Sequence, residues 1–524
     1  MKIAKSVDSN KPNSTNLNNP KQVQAIIESM DEMAQQLKDS VHCAVQAGES
    51  FDKTERYVRE TLARIGCQAL QLFIRLQGNG DLGPEIQGEN GKILKRSEHS
   101  VSTAIRSVFG THRFEQFTYA TGSKKAIQLR PISARMSLPE RQWSFLLQEF
   151  SQMFCIDQAY EQSMKNLEAI FGGSFAVETA EQINGQLGRA AGLFAEDLPK
   201  PDLATEGKFL VASADCKGVP LVKEDAPKVL PFETAKKKPG NRRMATVASV
   251  YSVDPNIRTA EEVTAALFRD DRDPDAIIPN RPKPKNKNTT AHFPILEDNG
   301  DGTQVPISGI IVAMTWIIGQ IDMRRRINQV LIVIMDGQES LWDAIKMSVS
   351  FGARTVAVLD ILHALSYVWQ AASLFEKTDD ARKAFTRERL LRILRGEVRG
   401  VIRGLRRLGA TRGLSGKSLT ELKRICGYLE NNADRMKYDE YLRRGYPIAS
   451  GVIEGACRHL VKDRMERSGM RWTLEGARSM LNLRAVFQSD HWSKFLTQNM
   501  ESETCRVHAH REVLSEYEPL TVAC

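Results

Sequence analysis

The spacing of hydrophobic residues changes several times along the chain, and each change predicts a different structural element. From about Val23 to Leu76 apolar residues recur with helical spacing, and three shorter blocks between Pro139 and Gly188 do the same. Around residues 99–132 apolar and polar residues alternate instead, which predicts a hairpin or a small sheet. The first 200 residues are therefore expected to be mainly helical, with a small β element inside them.

The centre of the chain contains short apolar runs that favour buried strands. The segments KFLVASAD, VLIVIMD and TVAVLD end on Asp215, Asp336 and Asp360, respectively. MATVASVYSV, from Met244, alternates like an antiparallel neighbour, and AHFPILED is a third strand candidate. The apolar stretch from Val305 predicts a buried helix, because proline and glycine interrupt it and its apolar part is barely long enough to cross a membrane.

Three antiparallel strands, a helix and two further strand–helix units follow one another in the order of an RNase H-like fold. The fold class expected is therefore α/β, with a mixed five-stranded sheet. Open α/β sheets place ligands at the carboxyl ends of their strands, where the three aspartates would lie. For Asp336 alone, the simpler interpretation is that it begins a turn or caps the next helix.

Charge favours a polyanionic partner, and nucleic acid is the leading candidate. The chain has 73 basic and 64 acidic side chains, a net charge of +9. Eight cysteines are scattered singly, which argues against a zinc ribbon and favours reduced thiols in the cytoplasm. The N-terminus is polar and has no secretory signal, and the polar loop at about 268–290 is expected to be flexible and to face DNA.

Residues 370–445 are helix-like and strongly basic. Eight arginines and only two acids lie between Arg387 and Arg407, and one-signed charge of this kind repels itself unless an anion neutralises it. Their spacing predicts that five of them share one helical face and bind the DNA backbone. These are Arg392, Arg395, Arg399, Arg403 and Arg406.

Glu454 lies in the segment YPIASGVIEGACRHLVKDRMERSGMRW. Ser450 is expected to cap a helix that carries Glu454 in its first turns, with Arg458 and Lys462 further along the same face. An ordinary ion pair between Glu454 and Arg458 is the alternative. Together with Asp215 and Asp336, however, Glu454 would supply hard oxygen ligands for two Mg²⁺ ions, or for Mn²⁺ in their place, roughly 4 Å apart.

At these residues the sequence resembles DDE-type insertion-sequence transposases, specifically the Mutator-like branch. The resemblance spans roughly residues 205–485 and is strongest at 330–369 and 445–472. It implies that Asp215, Asp336 and Glu454 are the catalytic, metal-binding triad and that Asp360 with His363 forms an accessory signature. Asp360 stays open as an alternative second ligand. Cys216 and Cys457, which flank the acids, are interpreted as ordinary small residues.

The function implied by the resemblance is metal-dependent cleavage at the ends of an insertion sequence, followed by strand transfer into target DNA. The partners would be terminal inverted repeats and target DNA, bound by a homo-oligomer, with Arg458 and Lys462 as further DNA contacts. Trp472 is either a core residue or, in its basic surroundings, a further DNA contact that stacks on a base. Two alternatives stay open. One is a DNA-binding regulator that has lost catalysis, and the other is an RNase H-like nuclease or resolvase.

The expected organisation follows from these patterns. The N-terminal helical region is either a helix-turn-helix reader of DNA or a plain helical subdomain. The predicted ranges are a disordered tail (1–20), a mainly helical DNA-binding region (21–204), the first part of the catalytic core (205–369), a basic helical insertion (370–445), the final core helix (446–485) and a C-terminal tail (486–524).

Overall fold

The computed structural model describes residues 20–89, 91–229, 240–268, 281–467 and 469–520. Almost all of the predicted disordered tail and much of the predicted DNA-facing loop lie outside these ranges. The chain divides into two compact units, one formed by Met1–Ile183 with Leu496–Cys524 and the other by Asn184–Phe495.

The first unit begins with a helical hairpin and continues with two small sheets and short helices. Its elements are α1 (Pro20–Ala47), α2 (Phe51–Leu76), β1 (Glu85–Gln87), β2 (Ile93–Arg96), β3 (Val101–Ser107), β4 (Gly110–Gln116), β5 (Tyr119–Ala120), β6 (Ile127–Leu129), α3 (Pro131–Arg135), α4 (Phe145–Cys155), α5 (Tyr160–Phe171) and α6 (Val177–Glu196), the last of which continues into the second unit. Strands β3 and β4 form a hairpin, and β1, β2, β5 and β6 form a four-stranded sheet. The helical periodicity of Val23–Leu76 and the alternation in 99–132 are thus confirmed.

The hydrophobic pattern did not predict two short strands of the first unit. Strands β1 and β2 flank the glycine-rich turn at Gly88 and Gly91, and Gly91 has a φ of 73°. The Gly88 amide donates to the Lys92 carbonyl and the Gly91 amide to the Gly88 carbonyl, so the turn pairs the two short strands tightly. The glycine-rich segment therefore closes a hairpin.

The second unit is built on a five-stranded mixed sheet. Its elements are β7 (Phe209–Pro220), β8 (Arg242–Val253), α7 (Ala260–Phe268), β9 (Lys285–His292), β10 (Ile295–Asp298), β11 (Gln304–Ile307), α8 (Gly309–Arg324), β12 (Val330–Met335), α9 (Glu339–Lys346), β13 (Thr355–Leu359), α10 (Ile361–Phe375), α11 (Asp379–Leu394), α12 (Val398–Thr411), α13 (Gly416–Asn431), α14 (Tyr438–Arg443), α15 (Gly451–Ala456), α16 (Asp463–Met465) and α17 (Leu474–Gln488). A π-helical segment, Cys457–Lys462, joins α15 to α16. The strand order is β13-β12-β7-β8-β9, with β12 and β13 parallel to β7 and the other pairs antiparallel. The protein is therefore a mixed α/β protein with many helices.

Helices cover both faces of this sheet, which explains the uninterrupted apolar runs. Leu331 and Val333 of β12 pack on one face in a cluster with residues of α8 and α9, including the fully buried Trp342. Ile332 and Ile334 pack on the other face with residues of α10 to α14. A strand buried on both sides has no polar face, so alternation is lost.

The third strand of the sheet begins earlier than expected. Instead of starting near residue 291, β9 covers Lys285–His292 and includes the buried polar residues Asn288, Thr289 and Thr290. The Asn288 side chain donates to Gln320 Oε1 at 2.8 Å, and the Thr289 amide donates to Ser489 Oγ at 2.9 Å. Buried polar groups with partners elsewhere in the chain leave no hydrophobic signal in the strand itself.

The predicted buried helix from Val305 is α8, and its capping residue is Ser308, whose side chain accepts from the Ile311 amide. Among the described residues, no helix has the length and apolar character needed to cross a membrane. The C-terminal residues do not form only a tail, because they contain α18 (Trp492–Val507), which leads back into the first unit.

Candidate active site

Three aspartates lie side by side where the parallel part of the sheet ends. Ala214 pairs with Met335, and Met335 pairs with Leu359. The residues that directly follow these three in the sequence are Asp215, Asp336 and Asp360, respectively. Neighbouring strands are about 5 Å apart, and residues in one row of a parallel sheet point to the same face. Parallel pairing therefore brings together acids that are far apart in sequence.

The sequence predicted that β7 ends on Asp215, but Asp215 lies inside the strand. β7 continues to Pro220 through antiparallel pairing with β8, in which Asp215 faces Val247. The parallel partner β12 stops one residue before, at Met335. Asp215 therefore lies at the mouth of the parallel sheet although it lies inside a strand.

Asp360 is completely buried, and both its carboxylate oxygens have hydrogen-bond partners. Oδ1 accepts from the amide of Leu362, as the N-cap of α10, and from the amide of Ser450. Oδ2 accepts from the Ser450 hydroxyl at 2.6 Å. Asp360 therefore joins the start of α10 to the segment that precedes α15.

Asp336 is half-buried, and its environment is more open. Its Oδ1 accepts from the Gln338 amide at 3.0 Å, and its backbone carbonyl accepts from Trp342 Nε1 at 2.6 Å. The interpretation that Asp336 begins a turn is thus correct for its Oδ1 atom. It does not account for the second carboxylate oxygen, which takes part in no hydrogen bond with the described residues.

Glu454 reaches the same place from α15. Its helix starts after Ser450, but the Ser450 hydroxyl bonds Asp360 instead of capping α15. Arg458 pairs with Asp463 at 3.6 Å instead of with Glu454, as the alternative interpretation would have required. The π-helical segment that follows Glu454 changes the helical register, which explains why residues four apart do not meet here.

The acids act on one another electrostatically. Burial raises the pKa of Glu454, and the carboxylates of Asp360 and Asp215 raise it further, while His363 lowers it. Burial also raises the pKa of Asp336, followed by smaller contributions from Asp215 and Asp360. Like charges therefore accumulate at this edge, and a bound cation would relieve their repulsion.

The residues present fit a divalent metal ion. One ligand atom from each of Asp360, His363 and Glu454 lies within 4.8 Å of the other two. Carboxylate oxygens are the ligands that Mg²⁺ and Mn²⁺ prefer, and a ring nitrogen is also acceptable to Mn²⁺. Asp360 already holds three hydrogen bonds, whereas Asp336 keeps one oxygen without a partner among the described residues.

Cys457 belongs to this cluster, although the sequence gave it no role. Its thiol donates to Asp215 Oδ2 at 3.3 Å, while the Cys216 amide donates to Oδ1 at 2.6 Å. Burial first, and then the charge of Asp215, raises the pKa of the Cys457 thiol, so it stays a neutral donor. Its position one helical turn after Glu454 was the available signal.

The five arginines predicted to share one helical face do not. Arg392 is near the end of α11, Arg395 caps it, and a break at Gly396, with φ of 85°, precedes α12. Acids from other elements also reduce the one-signed charge. Arg392 pairs with Glu397 and Glu388, Arg395 with Glu261, Arg399 with Asp434 and Arg406 with Glu430, while Arg403 is exposed on α12.

The remaining predicted DNA contacts lie around α15 and its continuation. Arg458 and Lys462 are both exposed. Trp472 is only 6% exposed, its Nε1 donates to the Met465 carbonyl, and Arg464 lies 4.7 Å over its ring. The prediction that Trp472 stacks on a base is therefore wrong for this structure, because its ring is already buried.

Comparisons with known proteins include a distant structural likeness. No protein-family model matches the chain, and no curated protein matches it. Among solved structures, the Drosophila P element transposase strand transfer complex is similar over 68% of this chain and 83% of that chain, with 10% identity and a TM-score of 0.22.

Proposed function

We propose that this protein is a DNA transposase of the DDE type, of the Mutator-like branch, with an RNase H-like catalytic core. Cleavage at the ends of an insertion sequence and strand transfer into target DNA are the proposed reactions. The strand order β13-β12-β7-β8-β9, with three antiparallel strands followed by two parallel ones, supports the RNase H-like assignment.

One observation carries the proposal. Strand register aligns Asp215 with Asp336, and burial, followed by the charges of Asp215 and Asp360, raises the pKa of both Asp336 and Glu454. Burying like charges is costly unless a cation compensates them. A protein that retains this arrangement needs a use for it, and metal-assisted phosphoryl transfer is the chemistry that carboxylate clusters of this kind support.

The proposed roles follow from the resemblance and from the contacts of each acid. Asp215, Asp336 and Glu454 are the proposed metal ligands. Asp360 stays an alternative second ligand, because its carboxylate bonds Ser450 and Leu362 but also has an oxygen within 4.8 Å of ligand atoms of His363 and Glu454. His363 lowers the pKa of both Asp336 and Glu454, so it helps to keep these carboxylates ionised. Bound Mg²⁺ or Mn²⁺ would supply activation of the attacking oxygen and stabilisation of the leaving oxygen.

Double-stranded DNA is the proposed partner, as terminal inverted repeats and as target. Exposed cations near the acids, Arg458 and Lys462, and exposed Arg403 on α12 are the contacts that we favour. Arginines that already pair with glutamate or aspartate would have to exchange that partner for phosphate. Holding two DNA ends together requires a homo-oligomer, which we propose forms on the DNA.

The decisive experiment is strand cleavage of DNA from the ends of the element that encodes this chain. Asp215→Asn, Asp336→Asn and Glu454→Gln should each lower the rate at least about 100-fold in Mg²⁺, because each removes a metal ligand. Asp343→Asn is the matched control, since Asp343 is an exposed aspartate of the neighbouring α9 that pairs with Lys346.

Each outcome assigns a function. Cleavage with joining of pre-cut ends to a target supports a transposase, whereas cleavage without joining under any condition indicates a nuclease or resolvase. Tight, salt-sensitive DNA binding with no cleavage indicates a regulator. Equal rates for Asp336→Asn and the wild type would remove Asp336 from the site.

A further inference from the structure

Tyr428 of α13 brings a buried hydroxyl from the helical insertion to the acid cluster. Its oxygen is shielded from solvent and has no hydrogen-bond partner within the described ranges, although it lies beside the Gly337 backbone amide. Leaving a buried hydroxyl without a partner costs about 1–3 kcal/mol. Such groups are rare in folded proteins, and each one needs an explanation.

The ring of Tyr428 is held by two neighbours. It stacks on Tyr367 of α10, with ring centroids 3.6 Å apart and an angle of 4° between the planes. It also lies against Gly337, where an added Cβ would come within 2.2 Å of Tyr428 Cε2. Only glycine next to Asp336 allows so close an approach, so the position of the hydroxyl is fixed by packing.

Two carboxylates act on this hydroxyl, and one of them is available as an acceptor. The charges of Asp336 and Asp360 both raise the pKa of Tyr428, after the larger effect of burial. Both oxygens of Asp360 are already bonded to Ser450 and Leu362. Asp336 uses only Oδ1, in its bond with the Gln338 amide.

We propose that Tyr428 is a positioning residue for Asp336, donating a hydrogen bond to Oδ2 when the carboxylate turns to hold a metal ion. Donors aimed at a carboxylate favour its ionised form, which is the form that binds metal. The contact also joins the helical insertion to the metal site, so the packing of α13 would affect metal affinity. This inference rests on the proposed metal-dependent function.

Tyr428→Phe tests the inference, because it keeps the stack on Tyr367 and the contact with Gly337 but removes the hydroxyl. We expect Mn²⁺ binding, measured by calorimetry without DNA, to weaken about 10-fold, as when other supports of metal ligands are removed. Cleavage should show a similar loss in kcat with the KM for DNA unchanged. Tyr367→Phe, in the partner ring, is the matched control and should match the wild type in both measurements.

Thermal unfolding separates this role from a structural one. Removal of an unpartnered hydroxyl should leave the melting temperature unchanged or raise it, so weaker metal binding in an equally stable variant supports the inference. Wild-type Mn²⁺ affinity in Tyr428→Phe would overturn it, whatever the effect on cleavage. If the wild type cleaves no DNA, the proposed function fails, while calorimetry still decides the role of Tyr428.

Discussion

Among single residues, Cys457 shows how a small neutral side chain can hold a charged one. The Asp215 carboxylate accepts from the Cys457 thiol at one oxygen and from the Cys216 amide at the other. These two donors fix the plane of the carboxylate while leaving lone pairs for a further ligand. Metal ligands commonly depend on such supporting hydrogen bonds.

Cys457→Ala should therefore lower metal-dependent cleavage about 10-fold, because Asp215 loses one of two donors. Cys457→Ser keeps a donor and should recover most of the rate, although the shorter side chain reaches less far. The measurement is kcat in Mg²⁺ at saturating DNA. Cys505→Ala, at an exposed cysteine of the first unit, controls for loss of a thiol. Equal rates for the Ala and Ser variants would contradict a donor role.

We expect the ionised Asp336 carboxylate to lower the stability of the folded protein. Burial first, and neighbouring carboxylates next, raise its folded-state pKa above the unfolded value of about 4. Its contribution to stability is thus fully present below that unfolded value and is lost as the pH rises through the raised folded-state pKa.

Asp336→Asn should consequently raise the melting temperature at pH 7.5 in EDTA, by roughly 2 °C or more, because the neutral amide removes buried like charge. The difference should shrink as the pH falls through the raised folded-state pKa of Asp336, because the aspartate then becomes neutral like the asparagine. Mg²⁺ should stabilise the wild type more than the variant at pH 7.5. A lower melting temperature for the variant at neutral pH would show that the cluster is not under electrostatic strain.

At the scale of elements, the junction between α11 and α12 redirects the basic insertion. Gly396 has a φ of 85°, and an added Cβ would come within 2.9 Å of Asp439 Oδ1. A single straight helix would have kept the five arginines on one face. The glycine instead ends α11 and lets α12 begin in another direction.

Gly396→Ala should lower the free energy of unfolding by about 1–2 kcal/mol, because alanine is strained at positive φ and crowds Asp439. Gly404→Ala is the matched control within α12, where nothing lies within 4 Å of an added Cβ. It should raise the stability by about 0.5–1 kcal/mol, since alanine is the better helix former. Urea unfolding measures both, and similar effects of the two substitutions would contradict the proposed turn.

For the molecule as a whole, a net charge of +9 accompanies many local ion pairs. Arginines in such pairs are partly neutralised by their acidic partners, and exposed pairs contribute only about 0–1 kcal/mol each. The positive net charge of the whole chain therefore favours attraction to a polyanion, while the ion pairs of each arginine determine which ones would be available for the proposed phosphate contacts.

Arg403→Gln should weaken DNA binding and reduce the slope of log affinity against log salt by about 1, as expected for loss of one phosphate contact. Arg392→Gln should have a smaller effect, because Glu388 and Glu397 already compensate this charge. Lys346→Gln on α9 controls for the change in net charge. Fluorescence anisotropy over a salt series measures the slopes, and equal slopes for Arg403→Gln and Lys346→Gln would argue against the contact.

The sequence was sufficient for features that depend on local spacing. Periodicity identified α1 and α2, the hairpin of β3 and β4, and the buried strands that precede Asp336 and Asp360, because burial and side-chain direction repeat with the geometry of each element. It failed for β9, whose buried Asn288 and Thr289 are satisfied by Gln320 and Ser489, since hydrogen bonds to distant residues leave no periodic signal. It failed again at Gly396, which looked like one more residue of a basic helix.

Only the tertiary structure decided how the candidate site is arranged. The sequence identified Asp215, Asp336, Asp360 and Glu454 as acids in strand or helix contexts, but pairing register aligned the aspartates, and the hydroxyl of Ser450 showed that Asp360 is already engaged. Cys457 and Tyr428 gained their importance in the same way, through contacts with Asp215 and Gly337. The chemistry of a side chain follows from the identity of the residue. The residues that surround it depend on how a chain of hundreds of residues folds.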